Sequence, residues 1–110
     1  MEINVRDEGD TKIVMLQGKL DTNTTPSAEA EINALLDGGA ANILINFEEL
    51  SYISSSGLRL LLATAKRMKA AGGDLKVCSL NEMANEVFEV SGFSSILNVF
   101  ASEQEALANS

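Results

Sequence analysis

The apolar positions of this chain change period along its length, and each change marks an element. Ile3 and Val5 alternate with polar neighbours, Glu8-Gly9-Asp10 supplies a turn, and residues 12–18 carry the mostly apolar run from Ile13 to Leu16. That pattern predicts a hairpin of two strands. Thr25-Pro26 reads as a helix start, with Pro26 at the first helical position, and Ala28, Ile32, Leu35 and Leu36 recur at helical spacing until Gly38-Gly39. Residues 42–47 hold Ile43, Leu44, Ile45 and Phe47, a continuity that suits a central buried strand.

An acidic, half-polar connection then ends in Ser54, Ser55 and Ser56, and a helix is predicted from about Ser56 to Ala71, closed by Gly72-Gly73. Residues 75–78 form the next strand. Ser79-Leu80-Asn81-Glu82 matches a capping box, with Met83, Val87 and Phe88 on one helical face and Gly92 as the stop. Residues 96–100 are a last strand, and Ser102-Glu103-Gln104-Glu105 is a second capping box opening a short terminal helix. The order is β-β-α-β-α-β-α-β-α. It predicts an α/β fold: one domain over residues 1–110, with a mixed sheet of about five strands packed against about four helices.

Composition narrows the function. The net charge of −8 repels a nucleic-acid backbone, so no nucleic-acid partner is expected. Histidine is absent, which removes the usual general base and the commonest metal ligand. Ser55 sits in Ile-Ser-Ser-Ser-Gly, not in a nucleophile elbow, and no nucleotide- or calcium-binding motif appears. Lys66 and Lys69 lie too far along the helix to serve Ser55 as a base. No enzyme, metal or bound cofactor is implied. The apolar runs are too short to insert in a membrane, and the lone Cys78, read as a core thiol, fits a reducing cytoplasm.

The serine run is the informative stretch. It stands at a helix N-terminus, where free backbone N–H groups and the dipole favour an anion. Spacing alone reads it as a cap; a phosphorylated acceptor is the other reading. On the helix that follows, Leu58, Leu61, Leu62, Ala65 and Met68 are expected to face the sheet, and Leu60, Ala63, Thr64, Arg67 and Ala71 to face outward. Leu60 among small residues, one turn from the serines, then offers a docking surface. Lys66, Arg67 and Lys69 read as a solvated face, and Asp7, Glu8 and Asp10 as turn residues.

With these residues in hand, the chain resembles the STAS-domain family, and within it the bacterial anti-sigma-factor antagonists. The resemblance rests on Gly18-Lys19-Leu20-Asp21, the buried strand over 43–47, Tyr52-Ile53-Ser54-Ser55-Ser56-Gly57-Leu58 and Ser91-Gly92-Phe93. It implies a partner that is both anti-sigma factor and serine kinase, bound until Ser55 is phosphorylated and bound again after a PP2C-type phosphatase acts. By the same resemblance Ser56 and Gly57 open the helix, and Asp21 lies on a neighbouring loop implicated in partner binding. Many antagonists carry Asp where this chain has Ser54, so a fixed negative charge beside the acceptor is missing, and Ser54 and Ser56 stand as alternative acceptors. STAS-like domains also serve as scaffold subunits that do not switch, including in membrane-transport assemblies; Ser55 would then be only a cap.

Overall fold

Strand pairing starts where the sequence alternates. In the computed structural model, which describes residues 1–93 and 97–108, β1 (Glu2–Glu8) and β2 (Thr11–Leu20) form an antiparallel hairpin with Glu8 opposite Thr11. Gly9 turns the chain with a φ of 64°, left-handed geometry that costs glycine little. Then follow α1 (Thr25–Asp37), β3 (Asn42–Asn46), β4 (Leu50–Ile53), α2 (Ser55–Ala70) and β5 (Asp74–Cys78). The chain continues through α3 (Glu82–Ser91), β6 (Asn98–Phe100) and α4 (Glu103–Ala108). The sheet runs β1-β2-β3-β5-β6, with β4 paired to the far end of β2. Every pairing after the hairpin is parallel, as strand–helix–strand units require.

Alternation along the strands sorts side chains onto two faces. Val14, Leu16, Ile43, Ile45 and Val77 face α1, α2 and α3, which contribute Ile32, Leu61 and Phe88 among others to the main core. Ile13, Leu44 and Cys78 point the other way and meet Ala106 of α4. That short helix opens as its capping box predicts: Ser102 Oγ accepts from the Glu105 N–H at 3.2 Å. Cys78 is a buried free thiol whose pKa is pushed up, chiefly by burial, so it packs as the core group expected. Lys12 pairs with Asp7 across the hairpin end, consistent with a turn.

The structure departs from the sequence reading in a few places. The described residues form six strands, one more than expected, because β4 forms inside the connection before the serines. Only Leu50 and Ile53 of β4 are buried, and the exposed Ser51 and Tyr52 between them break the apolar run that would announce a strand. Helix α1 begins at Thr25, which moves Pro26 to the second helical position. Ser79 does not cap α3. Its φ is 60°, and Asn81 caps instead, accepting from the Ala84 N–H at 2.8 Å. The last strand starts at Asn98; residue 96, where the sequence placed its beginning, lies outside the described residues.

Candidate partner-binding site

Parallel pairing brings two loops to one end of the sheet. Leu20 lies beside Ile53 in register, and the Ser54 N–H donates to the Leu20 carbonyl at 2.8 Å. After Leu20 the chain enters the Asp21 loop; after Ile53 it enters α2. Asp21 and the serine run are therefore neighbours at the carboxyl ends of parallel strands, where open α/β sheets commonly place binding groups. Asp21 Oδ1 accepts from the N–H groups of Asn23 at 2.9 Å and Thr24 at 3.1 Å, and from Thr24 Oγ1 at 3.2 Å. These bonds, the Thr24 N–H above all, hold its carboxyl below the usual range and fix it as a carboxylate near neutral pH.

The three serines have three different environments. Ser54 is the N-cap: its backbone is extended and its Oγ accepts from the Gly57 N–H at 3.3 Å. Ser56 Oγ accepts from the Arg59 guanidinium at 3.3 Å. Ser55 is the first residue of α2 and is exposed, and its hydroxyl has no hydrogen-bond partner among the described residues. Gly57 is buried, and a Cβ there would lie 2.9 Å from Ile53 Cγ1 and from Leu20 Cγ. Both neighbours belong to the core. Only a residue without a side chain lets α2 start this close to the ends of β2 and β4.

The capping role makes a prediction. Ser54→Ala is expected to lose about 1 kcal/mol in chemical denaturation, whereas Ser54→Asp keeps the stability because aspartate caps as well as serine. Equal losses from both variants would reject the cap.

Helix α2 corrects the outward face read from the sequence. Leu60 is 5% exposed and Thr64 4%, and Leu60 belongs to the main core. The cause is α1, which lies alongside: Arg67, one turn beyond Thr64 on the same face, donates to Asn33 Oδ1 at 3.0 Å and Asp37 Oδ1 at 2.6 Å. Thr64 tolerates burial because its hydroxyl donates to the Leu60 carbonyl at 2.8 Å. Leu58 and Leu62, expected to face the sheet, are only half-buried. The open face instead carries Ser55, Arg59, Ala63, Lys66 and Ala70, all exposed. Leu60 and Thr64 give a partner no footing.

Residues 2–106 match the STAS domain. The chain belongs to the STAS-domain family. BtrV of Bordetella bronchiseptica, named an anti-sigma factor antagonist, is 40% identical over 96 residues, spanning 87% of this chain and 83% of its own. The anti-sigma-B factor antagonist of Staphylococcus aureus is 27% identical over 101 residues, 90% of this chain and 94% of its own. Among solved structures, the Bacillus cell fate determinant SpoIIAA in its phosphorylated form matches with a TM-score of 0.77 at 27% identity, covering 98% of each chain. The unphosphorylated form of SpoIIAA, an anti-sigma factor antagonist, also gives 0.77, at 25% identity over 98% of this chain and 96% of its own. The resemblance carried by residues 52–58 is thus borne out at the level of family and fold.

Two further residues of this STAS domain flank the serines, and sequence reasoning gave neither a role. Tyr52 is 45% exposed and lies opposite Lys19 in register. Arg59 is exposed on the face that begins at Ser55. Arg59 was legible as the i+4 neighbour of Ser55. Tyr52 was not, because its strand was not recognised. Among the described residues no helix is long and apolar enough to cross a membrane.

Proposed function

We propose that this protein is a phosphorylation-controlled anti-sigma-factor antagonist of the cytoplasm, acting by binding and not by catalysis. Unphosphorylated, it holds an anti-sigma factor that is also a serine kinase and so frees the sigma factor. Phosphorylation of Ser55 ends the complex, and a PP2C-type phosphatase restores it. One observation carries the reading: of the serines at the head of α2, Ser54 and Ser56 are engaged in hydrogen bonds, while Ser55 is exposed with an unpartnered hydroxyl. An acceptor must reach a kinase active centre, and a cap that leaves its bond disturbs the helix start. The neighbouring Asp21 loop, Tyr52 and the α2 face through Arg59 supply the rest of the contact surface. Ser54 caps α2 in this chain, and aspartate is as good an N-cap as serine, so the difference from antagonists that carry Asp here is one of charge and not of capping ability.

The test is phosphorylation by the cognate kinase with ATP, read by intact mass and site mapping. A single phosphate is expected at Ser55, removable by the phosphatase, absent in Ser55→Ala and retained in Ser56→Ala. Phosphate mapped to Ser54 or Ser56, or a partner bound equally by the modified and unmodified protein, would reject the proposal; the second result would favour a scaffold that does not switch.

A further inference from the structure

Among the described residues, helix α3 presents an apolar stripe that neither the serine site nor the core uses. Its buried residues Ala84 and Phe88 face inward. Met83, Val87 and Val90 fall at i, i+4 and i+7 along one flank and, with Glu86 and Ser91, line an open depression. Val90 is 83% exposed, the most open large apolar side chain among the described residues. Glu82, Glu86 and Glu89 follow the solvent side of the stripe, and α3 contains no lysine or arginine. A lone exposed valine is ordinary, but a contiguous apolar strip edged by carboxylates has the composition of a binding surface.

We propose that this stripe docks a protein partner presenting apolar side chains flanked by lysine or arginine. Charge selects the occupant. A second copy in a two-fold contact would set like carboxylates against each other, and the net charge of −8 repels both another copy and an anionic lipid surface. A basic-edged partner is steered in by the same carboxylates and gains the apolar contact once seated. The stripe is also distinct from the serine site. Asn81, at the head of α3, donates to the Leu50 carbonyl at 3.2 Å where β4 begins, and Ser55 follows the other end of that strand. The stripe and residue 55 thus lie toward opposite ends of β4, and a peptide seated on α3 need not touch the charge at residue 55.

The probe is an amphipathic leucine–lysine helical peptide titrated into isotope-labelled protein, with a leucine–glutamate peptide as control. Amide shift changes are expected to concentrate on Met83, Glu86, Val87 and Val90 and to weaken with salt. Val90→Lys, which alters an exposed side chain and so leaves the fold intact, is expected to weaken the peptide about tenfold or more. Ser55→Asp is expected to leave it unchanged, so this inference stands or falls apart from the serine switch. Shifts spread equally over the acidic hairpin end at Asp7, Glu8 and Asp10 would reduce the effect to unspecific charge and overturn the proposal. So would equal binding by Val90→Lys, or sedimentation showing a wild-type dimer that Val90→Lys dissociates.

Discussion

Phosphorylation of Ser55 is expected to weaken the complex with the anti-sigma factor on the order of 100-fold, the effect of about 2.7 kcal/mol, while Tm stays nearly constant. The two halves of that expectation have separate causes. Within the free domain, a phosphoserine of roughly −1.5 to −2 charges at the first residue of α2 gains only about 0.3–1 kcal/mol from the helix dipole. Arg59, one turn on along the same exposed face, adds a favourable i,i+4 pairing of about 0.2–0.5 kcal/mol. Both terms hold the fold together. Inside an interface the same charge loses its water, and unpaired it costs several kcal/mol, so the binding term wins. Ser55→Asp, with a single charge, should weaken binding at least about tenfold, and the near-isosteric Ser55→Asn should keep most of the affinity. Calorimetric titration of the three proteins separates charge from shape. Equal losses for Asn and Asp would make the effect steric, and a Tm drop of many degrees on phosphorylation would make it a folding switch.

The parts of this picture that were legible in the sequence share one property: they depend on local chemistry. Strict alternation gave the first strand, an unbroken apolar run gave β3 between β2 and β5, and Ser102 announced its own helix. The serine run was visible because hydroxyl residues before an apolar helix already define a site for backbone N–H groups. The faces of α2 were another matter. Periodicity states which residues align, but not what covers them. The expected stripe through Leu58, Leu61 and Met68 and the observed one through Gly57, Leu60, Leu61, Thr64 and Met68 differ by a partial rotation of the same helix. Only the presence of α1 alongside decides between them. Strand β4 failed for a related reason: it pairs only with the last residues of β2, so two of its positions stay in water and leave no apolar signature. Ser79 shows that a capping-box match fixes the neighbourhood of a helix start, not the capping residue. Asn81 takes the cap because the backbone at Ser79 is left-handed.

Phe88→Ala is expected to be the most damaging single truncation on α3, costing roughly 3–5 kcal/mol and lowering Tm by about 12 °C or more. Phe88 is 1% exposed and stands edge-on to two other rings, Phe47 at 6.0 Å and Phe93 at 6.2 Å between centroids. Such geometry adds to the area that the ring itself buries. Removing it therefore takes away the transfer term, the ring contacts and the packing around a void that the surrounding core fills only in part. The consequence reaches the site. The helix anchored by Phe88 also ties Asn81 to the Leu50 carbonyl, the contact that steadies the start of β4, and β4 delivers Ser54 and Ser55 to the surface. Loosening α3 should raise amide exchange at Leu50 and Ile53 before the β1–β2 hairpin opens. Val90→Ala on the same helix is the control, expected within about 0.5 kcal/mol of the wild type because its side chain is already in water. Denaturant titrations of the two variants measure the contrast directly. A loss below about 1 kcal/mol for Phe88→Ala would mean that the aromatic cluster does not hold α3 to the sheet, and the link from that helix to the serine site would fall with it.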